Sequence, residues 1–213
     1  MKLEYYGHSF CRIIADKFKA VIDPFDDIGY PIPTHLDADY IFISHEHHDH
    51  NNTLIIRGNP TIVRIPGMHE FAHLKSELIP VFHDDVNGAK RGRNNIITIE
   101  ADNYKLIHCG DLGHIPDLDI IETIMCPDVL FVPVGEGYTL PVTDVWRLID
   151  RIHPRIVIPI HYHTPVDKYD LSRVEDFLQN YSNVIHHNSN VIEINDELLS
   201  IPKIIVLNHA MKV

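Results

Sequence analysis

Short apolar runs separated by polar clusters make up most of this chain, and strand-like runs outnumber helix-like ones. In the first third they are Leu3–Tyr6, Phe10–Ala15, Ala20–Ile22, Tyr40–Ile43 and Thr61–Ile65. Their length and composition are those of β-strands. Between the last two, Asn51–Arg57 reads as a short helix capped by Asn51 or Asn52, and Met68–Leu78 as a further helix. In the second half, strand-like Leu78–Phe82, Asn95–Ala101, Tyr104–Cys109, Val129–Val134 and Ile156–Ile160 alternate with helical Leu118–Met125, Thr143–Ile152 and Leu171–Tyr181. Val184–His186, Val191–Ile194 and Ile204–Leu207 close the chain as strands. No linker or internal repeat divides it. The order predicts one α/β (α+β) domain over residues 1–213, with two sheets packed face to face and helices outside.

Nearly every polar cluster directly follows a strand, where α/β folds carry their chemistry. The densest is His45-Glu46-His47-His48-Asp49-His50, which follows the apolar run Tyr40-Ile-Phe-Ile-Ser44. Alternate side chains of an extended chain point the same way, so His45 and His47 reach one ion together. Asp49 and His50 come next and are placed for a second ion. Imidazole and carboxylate are the ligands of zinc and its borderline neighbours. His83, Asp111 after Gly110, His161 and Asp23 also end apolar strands. Asp23 is expected to support the His/Asp loop. His8 and His114 either orient a metal-bound side chain or satisfy turn backbone.

Composition narrows the function. The net charge is 18 − 30 = −12, which disfavours a nucleic-acid binder, since such binding rests on Lys and Arg. An acidic surface around a cationic site suits a small substrate, anionic or carbonyl. No apolar run is long enough to span a membrane, and Met1–His8 has no signal-peptide pattern. Cys11, Cys109 and Cys126 lack CxxC spacing and read as reduced core residues of a cytoplasmic protein. A homo-oligomer stays open. Histidine, at 17 residues, nearly matches Lys plus Arg.

The ordered set resembles the metallo-β-lactamase fold superfamily, marked by HxHxDH, a single His, a Gly-Asp step and a last His. Here these are His45-x-His47-x-Asp49-His50, His83, Gly110-Asp111 and His161. The resemblance is nearest to a branch of metal-dependent hydrolases similar to L-ascorbate-6-phosphate lactonase. It runs through Gly7-His8, Asp23-Pro24, Arg91-Gly92-x-Asn94, Gly110-Asp111-Leu-Gly-His114, Pro133-Val-Gly135 and Pro159-Ile-His161-Tyr162. It implies a four-layer αβ/βα sandwich with the site along one edge of the sheets. It also implies two divalent ions, zinc ahead of manganese or iron. His45, His47 and His83 would hold the first, Asp49, His50 and His161 the second, and Asp111 would bridge them. A metal-bound hydroxide oriented by Asp49 would attack an ester or lactone carbonyl, with His114 or His8 assisting proton transfer. The alternatives are a phosphodiesterase or nuclease with the same two metals, and a non-enzymatic metal-binding or sensor protein.

Two positions depart from the family pattern. His163 stands close enough to His161 to compete for the last ligand role, and Glu136 replaces a glycine in a loop expected to line the cleft. His69-Glu70-x-x-His73 matches the zinc-protease HExxH motif and reads as coincidence among so many histidines. Asp84 and Asp85 read as solvated acids, with Asp84 the alternative candidate for a contact to a ligand residue. Arg91, Arg93 and Asn94 either fix the loop after His83 or meet an anionic substrate group. Glu46 and His48 read as bystanders, His186, His187 and His209 as surface, and Trp146 as core.

Overall fold

A computed structural model describes Met1–Ala210. In chain order, the first half contributes β1 (Lys2–Gly7), β2 (Phe10–Ile14), β3 (Lys19–Ile22), β4 (Leu36–Asp37), β5 (Tyr40–Phe42), β6 (Ile56–Arg57), β7 (Thr61–Val63) and β8 (Gly67–Glu70). The second contributes β9 (Lys75–Phe82), β10 (Arg93–Ala101), β11 (Tyr104–His108), β12 (Val129–Pro133), β13 (Ile156–Ile160), β14 (Val184–His187), β15 (Val191–Glu193) and β16 (Lys203–Leu207). One sheet has six strands in the order β15-β1-β2-β3-β5-β7, and the other has eight in the order β14-β16-β13-β12-β11-β10-β9-β8. Both change character part-way: β1, β2 and β3 run antiparallel, then β3, β5 and β7 parallel. Likewise β9, β10 and β11 run antiparallel and β11, β12 and β13 parallel.

Side chains alternate between the faces of a strand, and here both faces are apolar, so each sheet is covered twice. Leu3, Tyr5, Ile13, Ile22 and Phe42 of the first sheet meet Ile97, Leu106, Phe131, Ile158 and Ile205 of the second. The intervening residues Ile96, Ile107, Leu130, Val132 and Val157 face outward. There they pack against helices α1 (Leu118–Ile124), α2 (Val142–Ile152) and α3 (Val174–Leu178). Helix α2 buries Val145, Leu148, Ile149 and Ile152, the stripe of a one-sided helix. The outer face of the first sheet, including Val21 and Ile41, is covered by Phe25, Ile28, Tyr30, Leu36 and Ile56. These belong to the chain after β3 and the small β4–β6 ribbon. The two-sheet sandwich is the expected one, but among the described residues α-helices cover only the eight-stranded sheet, and loop and ribbon take the place of the expected helical layer on the other flank.

Two expected helices are absent. Met68–Leu78 is instead the hairpin of β8 and β9, paired Met68↔Glu77 and Glu70↔Lys75 and closed by Phe71 N–H donating to Leu74 O at 2.9 Å. The spacing of Met68, Phe71, Leu74 and Leu78 imitates a helical face, but Met68 is 62% exposed while Ser76 and Leu78 turn inward. Asn51–Arg57 is a 3-10 turn over Thr53–Ile55 followed by β6. The Asn52 amide caps nothing there and donates to Phe25 O at 3.2 Å. Helix α3 is shorter than Leu171–Tyr181 suggested. No helix among the described residues is long and apolar enough to cross a membrane.

Candidate metal centre

The site gathers where strands of both sheets end. Asp23 follows β3, His45 to His50 follow β5, His83 follows β9, Asp111 follows β11, His161 follows β13, and His8 sits in the turn from β1 to β2. His8, Asp23 and His161 hold positive φ values of 53°, 48° and 50°. Each such non-glycine residue costs on the order of 1–3 kcal/mol. Gly110, at φ 52°, is required: a Cβ there would overlap Asn94 Oδ1 and the Ser44 side chain. Asn94 in turn fixes the Asp111 loop, accepting from Asp111 N–H at 3.1 Å and donating to Cys109 O at 2.8 Å. Asn95 ties the β5 end to the same place through Ser44 O at 2.7 Å.

The centre of the arrangement is Asp111. Its Oδ2 lies 3.1 Å from His83 Nε2, 3.2 Å from His161 Nε2, 3.3 Å from His50 Nε2 and 3.9 Å from His45 Nε2. His45 Nε2 also lies 3.1 Å from His47 Nδ1. Ligand atoms converge within 4.8 Å in three groups: His45, His47 and His83; His45, His50 and Asp111; and His8, His50 and His161. Asp49 Oδ2 stands 3.3 Å from His8 Nε2 and 3.9 Å from His50 Nε2.

Electrostatics follow from this crowding. Burial alone would raise the Asp111 pKa, but His161 and His50 hold it well below the usual carboxylate range. Burial pushes His45 well down, with His50 adding to the effect. It likewise lowers His47 and His161. On His50 and His8 burial is overcome: Asp111 and Asp23 raise the first, Asp167 and Asp49 the second. His50 Nε2 and Asp111 Oδ1 are buried without a hydrogen-bond partner, a costly state unless something else satisfies them. Imidazoles aimed at a shared carboxylate are a donor set that fits borderline divalent cations.

His47, Asp49, His83, Asp111 and His161 line a cavity of about 310 Å³ together with His48, Arg91, Tyr138 and Tyr169. A larger groove of about 550 Å³, lined by residues such as Phe71, Lys75 and Tyr104, contains none of the converging groups. Chemistry, not size, marks the site.

A model of the beta-lactamase superfamily domain matches residues 2–161. The chain belongs to this superfamily. It is 32% identical over 197 residues to a UPF0173 metal-dependent hydrolase of Alkaliphilus metalliredigens, covering 77% of this chain and 86% of the relative. It is 30% identical over 197 residues to another from Nanoarchaeum equitans, covering 80% and 88%. A Thermotoga maritima crystal structure, described as a candidate Zn-dependent hydrolase of the metallo-β-lactamase superfamily, superposes with a TM-score of 0.85 at 30% identity. That match covers 98% of this chain and 99% of the other. The protein is thus a metal-dependent hydrolase of the metallo-β-lactamase superfamily.

Within this superfamily fold, the structure brings His45, His47, Asp49, His50, His83, Asp111, His161 and His8 together. His161, not His163, faces Asp111. His114 does not join them: Nε2 accepts from Phe82 N–H at 3.2 Å and Nδ1 lies 3.0 Å from Ile115 O, so its ring holds backbone and has no nitrogen left for proton transfer. His69 bonds Ile65 O at 2.8 Å from a strand, which removes the helix that HExxH needs. Glu136 turns from the cavity and accepts from Val142 N–H at 2.7 Å, at the start of α2. Asp84 is not solvated. Burial opposes its charge, but backbone N–H groups of Arg91, Val86, Gly88 and Lys90 bring its pKa down to about 2. Cys126 is exposed, not core. His48, read as a bystander, lines the cavity.

Four contributors had no motif to announce them. Asp167 lies 3.7 Å from His8 Nδ1 and accepts from Tyr30 O–H at 3.2 Å. Tyr169 packs over His8 with ring centres 5.5 Å apart, and Tyr138 lines the cavity beside it. His108 is buried under the Asp111 loop, with Gly110 N–H donating to its Nδ1 at 3.1 Å and its Nε2 2.9 Å from Ser9 O. Only His108 carried a signal, its place at the end of a strand leading to Gly110-Asp111.

Proposed function

We propose that this hydrolase uses two divalent metal ions, zinc first with manganese or iron fitting the same ligands, to cleave a small ester or lactone in the cytoplasm. One observation carries the reading: imidazole nitrogens of His50, His83 and His161 lie within 3.3 Å of one Asp111 oxygen, beside an open cavity. In this reading His45, His47 and His83 hold one ion, Asp49, His50 and His161 the other, and Asp111 serves both. Ions bound there supply Lewis acidity and bring the pKa of water toward neutrality.

The chain's own groups do the rest. Asp49 lines the cavity and orients the attacking water. His8, raised in pKa by Asp167 and Asp49 against the effect of burial, holds a proton at Nε2 against Asp49 Oδ2, 3.3 Å away. It does not line the cavity, so its influence on a leaving group passes through Asp49. The ester or lactone preference is supported by the sequence landmarks shared with the lactonase-like branch, and the cavity volume suits a small molecule. A cytoplasmic setting is supported by the three free cysteines.

The test is metal content by elemental analysis, run beside turnover of p-nitrophenyl acetate, a lactone panel and bis-p-nitrophenyl phosphate. About two metal equivalents with ester or lactone turnover is expected. Preference for the phosphodiester would move the protein to the phosphodiesterase reading, and metal binding without turnover to the sensor reading.

A further inference from the structure

The geometry points to Arg91 as the residue that selects the substrate: the ester or lactone taken by this site carries a carboxylate or phosphate that the guanidinium binds. This rests on the hydrolase reading above and adds the class of molecule cleaved.

Arg91 is the one Lys or Arg among the residues lining the 310 Å³ cavity. The chain carries a net charge of −12, and Arg12, Arg64, Arg147 and Arg155 each pair with a carboxylate. Arg91 forms no ion pair among the described residues. A guanidinium offers five N–H donors, and here only Nη2 is engaged, donating to Gly137 O at 3.0 Å.

The group is nevertheless held in place. Its backbone N–H donates to Asp84 at 2.7 Å, part of the same carboxylate cap that gathers Val86, Gly88 and Lys90. Its guanidinium carbon sits 5.4 Å from the centre of the Tyr138 ring. Asp84 thereby shapes a buttressed loop that presents one unneutralised cation to the cavity that also holds Asp49, His83, Asp111 and His161. A cation fixed before binding loses little freedom when an anion arrives, and guanidinium matches carboxylate and phosphate by paired hydrogen bonds. The bound molecule then spans the cavity, with its anion at Arg91 and its carbonyl at the convergent ligands.

The experiment uses metal-loaded protein and three esters of matched length: p-nitrophenyl valerate, mono-p-nitrophenyl adipate and the ω-phosphate analogue. The wild type is expected to favour an anionic ester, and whichever anion is preferred identifies the group recognised. In Arg91→Gln the ratio of anionic to neutral kcat/KM should fall about tenfold, through KM, as expected from losing one charge-assisted contact. Arg91→Lys, which keeps the charge, should recover part of that ratio. If Arg91 only pins the loop to Gly137, both ester classes fall together and the ratio stays put, which overturns the inference. If the wild type cleaves no ester, the ester or lactone reading fails separately. Calorimetric titration of adipate and inorganic phosphate then decides: about tenfold weaker binding in Arg91→Gln supports anion recognition, and equal binding overturns it.

Discussion

The carboxylate of Asp23 sets the orientation of His50, with Oδ2 3.0 Å from His50 Nδ1. The same oxygen accepts from Ser44 O–H at 2.6 Å, and Oδ1 accepts from Ser44 N–H at 2.8 Å. Ser44 has one hydroxyl proton, given to Asp23, so at 2.9 Å from His45 Nδ1 it accepts from that imidazole. Both rings therefore keep a proton on Nδ1 and turn Nε2 toward Asp111. One buried carboxylate sets two tautomers.

Asp23→Ala should consequently weaken metal binding by about 10–100-fold, measured by competition with a chromophoric chelator. Ser44→Ala should cost less, because only His45 loses its partner. An Asp23→Ala protein that binds metal as tightly as the wild type would show that Asp23 serves the backbone alone.

Gly110→Ala tests the closeness of the loops that end β5 and β11. The added carbon would overlap Ser44 and Asn94 at a φ of 52°, which L-residues seldom adopt. A loss of about 1–3 kcal/mol in urea unfolding is expected from such overpacking, together with weaker metal binding because Asp111 is the next residue. An unchanged urea midpoint would mean that the two loops yield freely.

Much of this was legible in the chain because the candidate ligands follow strands. Runs such as Ile156–Ile160 and Val129–Val134 are continuous and β-branched, so the positions of His161 and the parallel strands could be read directly. Met68–Leu78 misled because a half-exposed hairpin can imitate helical spacing over one short stretch. Local sequence hides a residue whose role depends on a distant partner. Asp167 reaches His8 across the whole chain, and Asp84 resembles a surface acid until the turn that returns Gly88 to Arg91 is known. His114 matched a landmark but is spent on the Phe82 backbone, a contact set by strand register and loop path.

Thiol reactivity separates the three cysteines. Cys11 and Cys109 are buried, and burial pushes the Cys109 thiol up to about 12 and Cys11 well above its usual value. Cys126 is exposed. At pH 8 a disulfide reagent should titrate one thiol quickly in the native protein and all three after denaturation. Rapid reaction of Cys109 in the native state would show that the outer layer over β11 opens readily.

Metal stabilisation should depend on pH with a definite sign. Imidazole binds metal only when neutral. Against burial, Asp111 and Asp23 raise His50 well above the ordinary histidine pKa of about 6.5, so protons compete there first as pH falls, while burial lowers His45, His47 and His161, which are protonated later. Asp111 and Asp49 are held far below the usual carboxylate range against the effect of burial, so they stay ionised across this interval. The rise in Tm produced by added zinc should therefore shrink as pH falls from 8 to 5, with the decline already under way above about 6.5 because of His50. Scanning calorimetry of chelator-treated and zinc-loaded protein from pH 5 to 8 reads this difference directly. A zinc-dependent rise in Tm that is undiminished at pH 5 would count against histidine as the principal donor and shift the site toward its carboxylates.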